Sequence, residues 1–177
     1  MISRPGILFH SEILPVLTTG AKWPAILTLI KKQKVRDYEE YLVGPVINYY
    51  ESLLKSGSET SCADLVASAA YYFDHYPNMA KDGILNGIAW DVFQYSSDKN
   101  ELNMALGWAK RAIEFNNPIP SYYAAYTDTY ANLLYKLGNK NEAIAWESKA
   151  LHLSPKTPAF SINLEKMKKG EITWNSR

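Results

Sequence analysis

Few of the 177 residues carry side chains suited to chemistry, and their spacing keeps them apart. The histidines are His10, His75 and His152, and the single cysteine is Cys62. No two histidines share a helical face at ligand spacing, and one thiolate cannot build a zinc site. No metal or other cofactor is therefore implied. Cys62 stands near the start of a helical stretch, where a thiol can have a lowered pKa. Its neighbours Ala63, Val66 and Ala67 suit a small buried apolar group instead. Glu39 and Glu40 are adjacent and so face apart on a helix, which does not make a general acid–base pair. There is no glycine-rich phosphate loop and no nucleophile elbow. No residue is nominated as catalytic.

The totals narrow the classes further. Apolar residues make up 47%, and 19 Lys+Arg stand against 18 Asp+Glu, as in a soluble globular protein. A net charge of +1 supplies no long-range field for nucleic acid or anionic lipid, so neither is expected as a partner. No run reaches the roughly 18 to 20 apolar residues that a membrane span needs. Arg4 is followed by His10, Glu12 and two prolines, which makes a poor signal peptide. With one cysteine the redox compartment is unreadable. The chain reads as cytoplasmic if complete and periplasmic if it is the tail of an exported protein.

Two stretches organise the rest: residues 105–115 (ALGWAKRAIEF) and 143–153 (AIAWESKALHL), 38 positions apart. Ala105, Ala109 and Ala112, and again Ala143 and Ala150, recur near the helical period and mark one face. Small residues there let a neighbouring helix approach closely, and the larger Ile, Leu and Phe fill the groove beyond. Trp108 and Trp146 hold equal positions, which suits packing between layers. Self-similarity at this period marks stacked helix pairs.

Along the chain, residues 1–22 are poorly legible, with a short helix start at Ser11-Glu12 and a stop at Thr19-Gly20. A helix is expected from Trp23 through Lys34, and another over residues 37–55, kinked or broken at Gly44-Pro45. Residues 56–61 read as a loop, followed by helices over 62–75 and 81–95. In the latter, Ile84, Leu85, Ile88, Ala89, Val92 and Phe93 are expected inward. Asp98 with Glu101 is a capping-box-like start for the helix that ends at residues 116–120. Residues 121–137 form its partner, with Tyr123, Tyr126, Tyr130, Leu133, Leu134 and Leu137 at threes and fours and Gly138 as a left-handed cap. Asn139 or Asn141 opens the second repeated helix, and Pro158 opens a last one closed by Gly170. No strand pattern occurs. The class is all-α, with stacked antiparallel helix pairs, about eight or nine helices in total. Residues 1–80 are expected to pack as a helical region on repeats formed by 81–177.

Residues 124–155 resemble a tetratricopeptide repeat. Ala124, Ala131, Gly138, Ala143, Ala150 and Pro155 fall at the family's small-residue, turn and terminal-proline positions, and Leu134 and Leu153 at large-residue positions. The departures are Thr127 for Trp, Tyr130 for Leu, and Glu147 for an aromatic. Residues 86–117 match in their second helix alone, and the period of 38 exceeds the family's 34, so an irregular superhelix is implied. A second resemblance covers Leu85–Trp90, Asp128–Gly138 and Leu164–Trp174. It is to the helical tail that follows a thioredoxin-like domain in some bacterial envelope proteins. The chain has no Cys-x-x-Cys, so that likeness implies a scaffold region and carries over no oxidoreductase activity.

The tetratricopeptide likeness implies a concave face made by the first helix of each pair, where side chains meet an extended peptide. The positions pointing there are Ala125, Asp128, Asn132, Tyr135 and Lys136, with Trp90, Asp91 and Gln94 bordering the groove from the preceding pair. Asn132 followed by Lys136 one turn on suits a peptide backbone and a carboxylate. Alternatively Asn132 and Lys136 are ordinary solvated residues, and Trp90 packs against a neighbouring helix. The first expectation for function is a non-catalytic module that binds a protein or peptide. The second is an accessory helical segment beside a thioredoxin-like domain in the same or a neighbouring chain. The third is an enzyme with a deep polar pocket among residues 1–80.

Overall fold

The computed structural model describes residues 4–33, 39–57, 62–115 and 119–174. Among these every regular element is helical and none is a strand, as the periodicities predict. No helix among them is long and apolar enough to cross a membrane. The chain divides into two compact units, Met1–Ala80 and Lys81–Arg177.

The first unit opens with α1 (Arg4–Leu8), a π-helical turn (Phe9–Ile13) and α2 (Leu14–Leu17) in succession. Ser11 and Glu12 therefore lie inside the helical run instead of starting one. The wide turn falls just ahead of Pro15, whose ring would otherwise press on the carbonyl four residues back. Next come α3 (Trp23–Lys32), α4 (Glu39–Lys55), α5 (Cys62–His75) and a 3-10 turn (Pro77–Met79). Residues 34–38 and 58–61, where the sequence places the end of one helix, the start of the next and part of a loop, lie outside the described residues.

Of the kink or break expected at Gly44-Pro45, the break does not occur, and α4 runs as one helix through Pro45. The carbonyl it leaves without an N–H belongs to Tyr41, an exposed residue whose carbonyl water can reach. Ile13, Leu17, Trp23, Ile26, Val43, Val46, Leu65 and Phe73 are buried in this unit's core. Buried Asp64, in the first turn of α5, accepts the Trp23 N–H at 2.9 Å and pairs with Lys22 at 3.3 Å. One carboxylate thus supplies the N-terminal cap that α3 lacks locally.

The second unit contains α6 (Asp82–Tyr95), α7 (Lys99–Glu114), α8 (Pro120–Lys136), α9 (Lys140–Leu153) and α10 (Pro158–Lys169). Each packs on the next, and α8 also touches α6 and α10. Along α8 from Tyr123 to Tyr130, the facing residues on α9 retreat from Lys149 to Trp146, so the pair is antiparallel. By contrast, α6 and α8 run in the same direction. Asp82 at the start of α6 meets Tyr126 at 3.0 Å, and Phe93 near its end meets Lys136 at 2.6 Å.

Local chemistry fixes the helix ends. Asp98 Oδ1 accepts the N–H groups of Asn100 and Glu101 at 2.8 and 3.0 Å. The Ser96 hydroxyl accepts the Asp98 N–H and donates to Glu101, which closes the capping box through an added residue. Gly138 and Gly170 have φ of 96° and 78°, a region that favours glycine. Asn139 N–H reaches Leu134 O and Glu171 N–H reaches Lys166 O, both at 2.9 Å, so α8 and α10 end in the same wrap-around cap. Ile84, expected inward, is 43% exposed.

Candidate functional site

Helix α8 carries most of the nominated residues, and its burial determines what they can do. Every residue from Tyr126 to Tyr135 is buried, on all faces of the helix. Polar side chains placed there must find partners inside the protein. Thr127 and Thr129 donate to the carbonyls of Tyr123 and Ala125 at 2.7 and 3.1 Å, one turn back. Asn132 Nδ2 donates to the carbonyl and the carboxylate of Asp128 at 2.9 and 3.0 Å. From α10, Asn163 Nδ2 donates to the same carboxylate at 2.9 Å.

Asp128 faces a second acid, Glu147 of α9, which is 0% exposed. Burial drives the Glu147 carboxyl far above the ordinary carboxylate range, and the charge and hydrogen bonding of Asp128 raise it further. The Asp128 carboxyl is also raised, because burial outweighs its hydrogen bonds from Asn163, Glu147 and Asn132. Two anions cannot share a dry seam, so the pair holds a proton. Neither Glu147 oxygen meets a hydrogen-bond donor, whereas Asp128 accepts from two amides, so the surroundings disfavour the charged form of Glu147 more than that of Asp128. The arrangement is two buried acids side by side, with Asp128 held by the amides of Asn132 and Asn163.

The nominated residues therefore divide into two groups. Asp128 and Asn132 belong to this sealed network, so neither the peptide-contact reading nor the solvated reading fits Asn132, which is 0% exposed. Tyr135, Lys136, Trp90 and Gln94 lie toward the C-terminal ends of α6 and α8. The half-buried Lys136 donates to Phe93 O, one of the last-turn carbonyls of α6 that the helix itself leaves unpaired. Its ammonium lies 5.4 Å from the Phe93 ring and 4.9 Å from the ring of Trp174. Trp174 also meets the rings of Phe93 and Tyr135, each at 6.3 Å between centroids. Trp90 packs tilted against Phe93 of its own helix, with 5.1 Å between ring centroids. The Gln94 side-chain oxygen is buried and meets no donor among the described residues.

A non-helical stretch of the chain, residues 171–174, thus lies on the face formed by α6 and α8 and is anchored there by Trp174. Sequence reasoning missed this contact because nothing periodic links Trp174 to Lys136. It also missed Glu147 as a buried acid, although the signal was available. Glu147 occupies the position that Ala109 holds in the first repeated stretch, on the small-residue face.

In the first unit, Tyr71 donates to Glu39, and its ring stacks on His75 at 3.9 Å with Lys31 5.2 Å from its centroid. Burial first, then Glu39, raises the pKa of both Tyr71 and Tyr76. These phenols are held protonated as donors, the opposite of what a tyrosinate nucleophile or base requires. Cys62 is buried, while His10, His75 and His152 are exposed. Among the described residues no three His, Cys, Asp or Glu side chains converge as a metal site would require. Compared with known protein families, with curated proteins and with solved structures, the chain matches none.

Proposed function

We propose that this chain is a tetratricopeptide-like helical stack that binds a protein or peptide segment and performs no chemistry of its own. One observation carries the reading: the chain's own non-helical segment, anchored by Trp174, rests on the face made by the parallel first helices α6 and α8. A surface that accepts one non-helical segment through side-chain contacts has the shape and chemistry to accept another. Tyr135 and Lys136, two of the residues the sequence nominates for contact, touch the Trp174 segment, which supports the reading.

The reading is tested by placing a photo-crosslinking amino acid at Gln94, on the edge of the face, or at exposed Ser148 of α9. In the cells that express the protein, the first position is expected to give a discrete crosslinked species that the second does not. No species from position 94, or the same species from both positions, would contradict the assignment.

A further inference from the structure

We propose that the notch at the C-terminal ends of α6 and α8 recognises an aromatic side chain on an extended peptide, and that Trp174 is its built-in, displaceable occupant. The inference rests on the interaction reading above and adds the ligand chemistry and its control.

The notch is prepared for a flat ring. Phe93 presents an aromatic edge at 86° to the Trp174 plane, and Tyr135 presents a second ring tilted at 58°. The Lys136 ammonium lies 4.9 Å from the centre of the indole, where a cation meets the electron-rich ring face. That ammonium is fixed by its bond to Phe93 O, a contact independent of whatever ring occupies the notch. Nothing in this geometry is particular to a residue of the same chain.

The occupant is also an incomplete fit. Oγ1 of Thr173 is buried without a hydrogen-bond partner, and Oε1 of Gln94, in the same last turn of α6 as Phe93, is buried without a donor. Ile172 is 44% exposed and adds little cover. A partner peptide that brings the ring together with a donor for Gln94 gains what the internal segment leaves unmet. The internal segment, in turn, competes at an effective concentration on the order of 1 mM, set by its short tether. It therefore screens out weak ligands and yields to strong ones.

The test uses the full chain carrying Trp174→Ala, a change beyond the last helix that leaves α6 and α8 intact. A synthetic peptide with the sequence of residues 171–177 (EITWNSR) is titrated into the 15N-labelled protein. Saturable shifts are expected at Phe93, Gln94, Tyr135 and Lys136. The unsubstituted chain, whose notch Trp174 already fills, should bind at least about tenfold more weakly. A peptide with its Trp replaced by Ala should produce no such shifts.

The proposal is overturned by the absence of saturable shifts in the Trp174→Ala chain at several millimolar peptide, by equal affinity of the two chains, or by indifference to the peptide's Trp. Concentration-dependent dimers of the unsubstituted chain, lost on Trp174→Ala, would assign the notch to a second copy instead. A crosslink from position 94 with no Trp-dependent peptide binding would remove this inference while leaving the interaction reading in place.

Discussion

Helix α8 carries two polar clusters that put similar chemistry to opposite uses. Toward α9 and α10, Asp128, Asn132, Glu147 and Asn163 close on one another and are sealed from water, apart from part of Asn163. Toward α6, Lys136 spends its charge on a helix-end carbonyl and two aromatic rings, one of them supplied by a stretch with no regular structure. The first cluster has every element of its environment fixed by a helix. The second has one wall that can leave. A polar group inside a closed seam specifies how helices meet, while the same kind of group under a removable cover is available to a ligand. Changes to the first should therefore move stability, and changes to the second should move binding.

The largest effect is expected at the position where the two repeats differ most. Ala109 in α7 and Glu147 in α9 hold the same place in the repeated stretch, and both are fully buried. Ala109→Glu would put a carboxyl into a small-residue seam that lacks the Asp128 and Asn163 framework. A loss of roughly 3 kcal/mol is expected in urea unfolding. A loss below about 1 kcal/mol would mean that the α7 seam tolerates an acid as readily as the α9 seam does, and the contrast would fail.

Glu147→Gln should act in the other direction. Burial and the neighbouring Asp128 raise the Glu147 pKa in the fold, whereas the unfolded chain has the ordinary glutamate value. The raised native pKa therefore leaves stability intact in acid and erodes it as pH climbs from the glutamate range toward the native value. Glutamine copies the protonated acid, donates to Asp128, and has no proton to lose. The variant should gain about 2 kcal/mol at pH 8, little at pH 4, and lose most of the pH slope between them. Unfolding midpoints across that range decide it. A variant less stable than the parent at pH 8 would show Glu147 to be ionised in the fold.

The fold was legible where a period existed. Alanines at the seams, Asp98 ahead of Glu101, and glycines at 138 and 170 each state a local physical preference, and the helices form where those preferences place them. The all-round burial of α8 was not legible, because Asp128 and Asn132 read as contact positions on an open face and nothing in Thr127 or Thr129 announced a buried hydroxyl. Two of these hide their hydroxyls on carbonyls one turn back, and the others bond to each other, options that side-chain type alone does not announce. Tyr135, Lys136 and Gln94 were nominated from a family likeness, and of these Tyr135 and Lys136 lie against Trp174. The cover of the notch came from Trp174, a contact with no sequence period to betray it.

The central claim, that a non-helical segment sits on α6 and α8, is tested most directly by the side-chain resonances of Lys136. With its ammonium close to the rings of both Phe93 and Trp174, the terminal methylene of Lys136 should be shifted upfield. Trp174→Ala should relieve the larger part of that shift without disturbing the helices. Lys136 methylene signals at ordinary positions in the unsubstituted chain, unmoved by the substitution, would contradict the account.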